Sequence, residues 1–215
     1  MGSGALRALG VLLGGLGTAG TVTATAMPQW RVSAFIESNL IVLEDSWEGL
    51  WQHCSRQPDL RLLCQPYASV AAMAPALRAA RALMCAGTGL AMLGLMAAIV
   101  TGVRSTRIIG NTRTQACSTA AAGLLFLLAA IVTLIPLCWV ASSIVSDFYN
   151  PWLNAVQKRE LGQALFVGWG AALCLLAAGA VFCCLWSCAG QPRSSIPHRP
   201  ARSDTGSSYS KSQYV

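Results

Sequence analysis

Charged side chains are scarce in this sequence, and their scarcity indicates the class of protein. Only 11% of the 215 residues are charged, while 54% are hydrophobic. A soluble domain usually has about a quarter of its residues charged. Most of the chain is therefore expected to lie in lipid, and we predict one membrane domain followed by a tail.

The sequence also lacks the groups that enzymes and metal sites need. Its histidines are His53 and His198, which are far apart and fall on opposite sides of the predicted membrane, so no metal site is predicted. We find no glycine-rich phosphate loop and no nucleophile that can be paired with a base. The sequence therefore predicts a protein that is not an enzyme and that needs no cofactor.

Four apolar stretches are near or above the roughly 20 residues that a spanning helix needs. They cover about 6–27, 82–103, 117–141 and 164–186, and in hydrocarbon each must be helical to pair its backbone groups. Their interiors hold no acid, lysine or arginine, which argues against a pump, an ion-coupled transporter or a voltage sensor. The first stretch has a small-residue motif like a signal-peptide cleavage site, but its length favours a retained helix.

The excess of positive charge lies on one side of these spans. The net charge of +7 comes from Arg7, the loop 104–116 and the tail 187–215, whereas the loops 28–81 and 142–163 each sum to zero. The positive-inside rule then places both termini in the cytoplasm and the two neutral loops outside. Because the charge is split among short inner segments, we predict no nucleic-acid partner.

The first outer loop has the alternation of β-structure. Residues 30–37 alternate between two faces, residues 41–51 form a second extended run, and residues 61–65 read as a returning strand. The second outer loop is expected to add a strand that covers an exposed edge. Both loops are therefore predicted to build one small sheet.

Two cysteines lie in this loop, and the composition of the loop changes after them. Cys54 and Cys64 are the only cysteines on the outer side, so we predict a disulfide near the open end of a hairpin. After Pro66 the chain becomes rich in Ala, Met and Leu. This change predicts a short helix from about Tyr67 towards the second span.

The inner end of the chain has two further signals. Cys183, Cys184 and Cys188 cluster where the fourth stretch leaves the membrane, a position typical of reversible palmitoylation and also of plain helix packing. The tail is rich in Ser, Arg and Pro and is predicted to be disordered. Its ending, Tyr214-Val215, suits capture of a free carboxylate by a PDZ groove.

One combination of residues points to a known family. The motif Trp … Gly-Leu-Trp … Cys … Cys is followed by an arginine at the foot of the second helix and by the segments 147–151 and 157–161. The motif residues are Trp30, Gly49, Leu50, Trp51, Cys54, Cys64 and Arg81. Together they resemble the claudin family of tight-junction proteins over essentially the whole chain. Residues 29–35 and the ending 212–215 are most similar to the branch holding claudins eight and seventeen.

The resemblance implies a membrane α+β fold. It implies a left-handed four-transmembrane-helix bundle that carries a small extracellular antiparallel β-sheet from both outer loops. It also implies a place in the plasma membrane at tight junctions, with other claudins as partners in cis and trans. PDZ scaffold proteins and membrane lipid are the further expected partners. In this family, facing sheets line a paracellular path that is either sealed or selective for one sign of ion.

Selectivity in the family depends on the residue just after the second cysteine, which here is neutral. A narrow pore of low dielectric amplifies a small local imbalance of charge. We therefore expect a cation barrier with a mild anion preference. The candidate pore-lining residues are Gln65, Ser55, Arg31, Arg56, Asp59 and Arg61.

Aromatic residues of the second outer loop are candidates for contacts between molecules, although they could instead cap the sheet. These candidates are Phe148, Tyr149 and Pro151, with Val70 and Met73 on the short helix as weaker ones. The alternative function is an auxiliary subunit of a membrane channel or receptor, because related four-span proteins with a similar loop have that role. A tetraspanin-like organiser fits poorly, since its larger second loop is absent.

Overall fold

Four long helices make up most of the structure, a computed structural model that describes residues 3–33, 46–56, 61–69, 73–106, 112–150, 152 and 159–190. The helices are α1 (Ser3–Ala26), α2 (Pro75–Thr106), α3 (Thr112–Tyr149) and α4 (Gln163–Gly190). Each is long and apolar enough to cross a membrane. The prediction of four spanning helices is therefore confirmed.

Within the described part of the chain, five short strands form one antiparallel sheet. They are β1 (Arg31–Ser33), β2 (Ser46–Glu48), β3 (Gln52–Arg56), β4 (Leu62–Pro66) and β5 (Arg159–Leu161), and their order across the sheet is β4-β3-β2-β1-β5. β5 comes from the second outer loop and pairs with β1. The prediction that both loops contribute to one sheet is confirmed.

The disulfide crosses the β3–β4 hairpin. Cys54 and Cys64 face each other in register, are bonded through their sulfurs, and have Cα atoms 4.0 Å apart. The predicted pairing is confirmed. Its predicted place near the open end of the hairpin is wrong, because Cys54 is the central residue of its strand, with paired residues on both sides.

The helices extend further towards the sheet than the hydropathy pattern predicted. α2 begins at Pro75 rather than near residue 82, and α3 continues to Tyr149 rather than ending near residue 141. Residues 142–149 are thus helical and not part of a loop. Hydropathy marks only the part of a helix that lies in lipid, whereas backbone hydrogen bonds and packing let the helix continue beyond it.

The described residues between Pro66 and α2 do not form the predicted short helix. Residues 67–69 and 73–74 are not helical, and residues 70–72 lie outside the described part of the chain. Met73 is only 4% exposed and packs in the buried cluster between sheet and bundle. Met73 is therefore not available to contact another molecule, which corrects the prediction.

Glycines allow α1 to pack closely against the other helices. A Cβ built on Gly14 would lie 2.5 Å from a ring carbon of Phe126, and one on Gly10 would lie 2.9 Å from Phe182. The two rings stack with centroids 5.9 Å apart. Small residues that let helices approach are the usual means of association in lipid, where burial of leucine gives no advantage.

Candidate functional site

Trp30 joins the sheet to the first helix. Its side chain is fully buried, and its indole Nε1 donates to the Ala24 carbonyl at the end of α1, at 2.9 Å. Its backbone N–H donates to Glu48 O at 3.0 Å, and its carbonyl accepts from Gly162 N at 3.2 Å. One tryptophan therefore fixes α1, β2 and the start of α4 relative to one another.

The Gly-Leu-Trp motif makes the turn between β2 and β3. A Cβ on Gly49 would lie 2.5 Å from the Pro28 Cα, so only glycine fits against that backbone. Leu50 is fully buried in the cluster beneath the sheet. Trp51 is 41% exposed, and its Nε1 donates to the Thr25 carbonyl at 2.9 Å.

Arg81 has a direct contact that explains its place beside this motif. Its Cζ lies 3.9 Å from the centre of the Trp51 ring. A guanidinium over an indole face is a favourable cation–π pair. Arg81 lies on α2, and Trp51 is hydrogen-bonded to Thr25 of α1. The pair therefore links both helices to the turn.

The register of the sheet separates its residues into two faces. Successive residues of a strand point to opposite faces, and directly paired residues share one. One row crosses all five strands through Leu161, Arg31, Glu48, His53 and Gln65. We call the surface that contains this row the polar face. Its other members are Arg159, Ser33, Ser46, Ser55 and Leu63.

An ion pair lies on the polar face. Arg159 Nη2 is 3.1 Å from Glu48 Oε1, and Arg159 Nη1 donates to Ser46 Oγ at 2.6 Å. Arg31 is only 8% exposed, and its Nε has no hydrogen-bond partner among the described residues. The acid on this face is thus neutralised by one arginine, while a second arginine stays in excess.

Tyr67 lies next to the turn between β2 and β3. Its hydroxyl donates to the Gly49 carbonyl at 3.2 Å. Burial raises the pKa of the Tyr67 hydroxyl, the Glu48 carboxylate raises it further, and Arg31 and Arg159 oppose these effects. The raised pKa favours the protonated form that the hydrogen bond requires.

The predicted pore-lining residues do not all lie together. Gln65, Ser55 and Arg31 share the polar face, whereas Arg56 is in register with Leu62 on the opposite face. Arg61 is exposed just before β4, and Asp59 lies outside the described residues. The predicted set did not include the other ionisable members of the polar face, namely Glu48, His53 and Arg159, because cross-strand register brings them there from separate segments.

The aromatic candidates lie at the outer end of α3. Phe148 is 38% exposed and Tyr149 is 78% exposed, and their rings make an edge contact at 5.7 Å. Both line a groove of about 430 Å³ together with Phe166 and Leu161. Trp152, which is not among the predicted contact residues, is 91% exposed and lies three residues further along the chain than Tyr149. Pro151 and Val70 lie outside the described residues.

The inner cysteines and the tail are only partly described. Cys183 is half-buried and Cys184 is exposed, whereas the Cys188 side chain and the ending Tyr214-Val215 lie outside the described part of the chain. Within the described ranges, His, Cys, Asp and Glu side chains form no group of three that could hold a metal ion.

The chain is similar to known proteins over most of its length. The model of the PMP-22/EMP/MP20/Claudin family matches residues 5–182. The chain is 48% identical to Claudin-8 of Mus musculus, with 98% of each chain covered. It is 45% identical to Claudin-17 of Sus scrofa, covering 92% of this chain and 91% of that one. It is also 45% identical to Claudin-3 of Homo sapiens, covering 83% and 81%.

These similarities confirm the resemblance drawn from the tryptophan–cysteine motif. They account for four apolar helices below an extracellular antiparallel sheet with one disulfide. The named relatives are claudins, which favours a junction protein over an auxiliary channel subunit. Association with other claudins follows from the family. The chain belongs to the PMP-22/EMP/MP20/Claudin family and is a claudin, a multi-pass membrane protein of the tight junction.

Proposed function

We propose that this claudin makes a paracellular barrier to cations with a mild preference for anions. The observation that carries the proposal is the charge balance of the polar face. Its acid, Glu48, is ion-paired with Arg159, and Arg31 is left in excess among the described residues of that face.

The position of this excess charge supports its effect on ions. Arg31 is nearly buried, so water screens its charge less than it screens an exposed arginine. Gln65 is exposed at the end of the same cross-strand row and supplies no compensating negative charge. A cation that passes this face therefore meets a small positive potential, which a narrow path would amplify.

Dilution potentials test the proposal in an epithelial monolayer that lacks its own claudins. Expression of this chain should raise the resistance and shift the potential towards chloride. Gln65→Asp should raise sodium permeability, because it places an acid on the polar face. Gln52→Asp makes the same change on β3 but on the opposite face, so it should leave the ratio unchanged. Equal effects of both variants would contradict the assignment of the polar face to the path.

The orientation of the chain in the membrane is part of the same proposal. The basic excess in Arg7, the loop 104–116 and the tail supports cytoplasmic termini. An epitope added before Met1 should be labelled by antibody only after the cells are permeabilised, while one in the loop 34–45 should be labelled in intact cells. Labelling of the N-terminal epitope in intact cells would contradict this orientation.

The tail is proposed to bind a PDZ scaffold and to be acylated at its root. A free carboxylate after Tyr214-Val215 suits strand addition in a PDZ groove. Removing Val215 should abolish binding of a tail peptide to a tight-junction PDZ domain. Acyl exchange should label the wild type and lose that label when Cys183, Cys184 and Cys188 are all replaced by Ala.

Contacts between molecules are proposed to use the exposed aromatic residues above the groove. Tyr149 and Phe148 are supported by their exposure beside a largely apolar groove; Pro151 and Val70 are kept on sequence grounds alone. Tyr149→Ala should reduce the formation of tight-junction strands in transfected cells. Leu124→Ala, at an exposed position facing lipid on the same helix, should not. Normal tight-junction strands in cells expressing Tyr149→Ala would contradict this role.

A further inference from the structure

A second groove lies at the end of the bundle opposite the sheet, between α1 and α2. It has a volume of about 530 Å³, and its lining includes Arg7, Val11, Leu12, Ala98, Ile99 and Val103 together with the small residues Gly4, Ala8 and Gly102. Ala98 is buried at its floor, whereas Leu12, Ile99 and Val103 are exposed side chains of its walls.

The groove has open space beside two of its glycines. A Cβ built on Gly4 or on Gly102 would have no heavy atom within 4 Å. In contrast, the glycines of α1 that face the bundle meet side chains of α3 and α4 closely. The small residues of this groove therefore leave space rather than allow helices to approach.

One charged group stands in this otherwise apolar surface. The Nε atom of Arg7 is buried and has no hydrogen-bond partner within the described part of the chain. Arg7 as a whole is half-buried, but a buried N–H without a partner is costly, so an anion is expected to complete it. From Ala26 at the sheet end, Arg7 lies 19 residues along α1, or about 28 Å. That length matches the hydrocarbon thickness of about 30 Å, so Arg7 lies at headgroup level in the far leaflet.

The chain itself offers little to neutralise Arg7. The sequence has no acid before Glu37 and none in the loop 104–116, and the acid on this side of the membrane is Asp204 in the tail. A second copy of the chain packed into the groove would bring arginines of its own to this level. A phospholipid brings a phosphate at this depth and an apolar chain in the same molecule.

We propose that the α1–α2 groove binds an anionic phospholipid of the leaflet opposite the sheet. The Arg7 guanidinium holds the phosphate, and an acyl chain lies along Val11, Ala98 and Ile99. A net negative headgroup is favoured over a zwitterionic one because Arg104 follows Val103 directly and no acid is adjacent in the sequence. The proposal does not depend on ion selectivity or on cell contacts.

Photolabelling of the full chain in nanodiscs tests the proposal. The probe is phosphatidylserine with a photoreactive acyl chain, diluted in phosphatidylcholine, and labelled peptides are identified by mass spectrometry. Label should appear on α1 and α2 residues of the groove. Arg7→Gln should reduce it about fivefold, the change expected when one basic side chain is lost at an anionic surface.

Matched glycine variants separate groove binding from general contact with lipid. Gly102→Leu should fill the groove and abolish the label there. Gly89→Leu makes the same change at another open, exposed position of α2 and should leave the label unchanged. Equal labelling of Gly102→Leu and wild type, or of Arg7→Gln and wild type, would overturn the proposal.

The remaining occupants are distinguished in the same preparation. Equal labelling by a phosphatidylcholine probe at equal concentration would show an unselective lipid surface and overturn the preference for an anionic headgroup. A photoreactive amino acid in place of Leu12, an exposed side chain of the groove wall, should crosslink to lipid. A covalent dimer of the protein instead would show that a second copy fills the groove, which would also overturn the proposal.

Discussion

The helix bundle and the sheet both depend on glycine, but glycine meets different neighbours in the two regions. In the bundle, Gly14 and Gly17 face the side chains of Phe126 and Leu175. In the sheet region, Gly49 and Gly162 face the backbone of residues 28–30. A side chain can rotate or shift by a few tenths of an ångström, whereas a backbone held by hydrogen bonds on both sides cannot.

This difference separates a tolerant region from an intolerant one. The bundle is held by many weak van der Waals contacts of apolar side chains, which can redistribute after a small change. The sheet is a thin layer held by a disulfide, an ion pair and indole hydrogen bonds, each of which fixes one connection. Substitutions should therefore cost more in the sheet than in the bundle for the same added volume.

Gly162→Ala should have the largest effect. The added methyl group would overlap the Gln29 carbonyl and lie within 2.9 Å of the Trp30 carbonyl carbon. Overpacking against a fixed backbone should reduce the free energy of unfolding by about 3 kcal/mol or more. Thermal unfolding in detergent measures this, with Gly170→Ala as control, because a Cβ there meets nothing within 4 Å. Equal unfolding temperatures would show that the corner can relax.

Loss of the disulfide should have the next largest effect. Cys54→Ser combined with Cys64→Ser removes a crosslink between residues ten apart in sequence, and such a loss commonly costs about 2–4 kcal/mol. Cys85→Ser and Cys138→Ser together are the control, since both are free cysteines exposed on the helices. The two double variants should differ clearly in thermal unfolding. If they unfold alike, the sheet does not limit the stability of the chain.

Gly14→Ala tests the tolerance of the bundle. The new methyl group would press on the Phe126 ring, and the cost should be about 1–3 kcal/mol because the ring must move. Phe126→Leu should remove most of this cost when both changes are combined, which a double-mutant cycle on thermal unfolding would show. Additive costs would mean that the helix backbone, and not the ring, absorbs the change.

The smallest effect is expected at the contact between Arg81 and Trp51. Arg81→Gln removes the cation above the ring and should cost about 0.5–1 kcal/mol at this partly exposed site. Arg81→Lys should retain part of the contribution, since lysine also makes cation–π contacts. Thermal unfolding in detergent again gives the measurement. A loss larger than that of the disulfide would show that Arg81 has a further role in joining α2 to the sheet.

The sequence predicted more of the bundle than of the sheet face. Four spans followed from apolar length alone, and the disulfide followed from the absence of other cysteines outside. The extent of α3 to Tyr149 did not follow, because Asp147 and its neighbours resemble a polar loop although they continue the helix. The burial of Met73 could not be predicted either, since it depends on how the sheet lies on the helix ends.

By itself, the sequence determined the family and the number of spanning helices. Apolar length, charge and motif spacing are local properties, and they can be read without knowledge of the fold. Only the tertiary structure decided that Gln65 and Arg31 share a face while Arg56 does not, and that Arg159 pairs with Glu48 from 111 residues away. The physical reason is that cross-strand register and helix-to-helix gaps are set by packing between distant segments, which spacing along the chain does not encode.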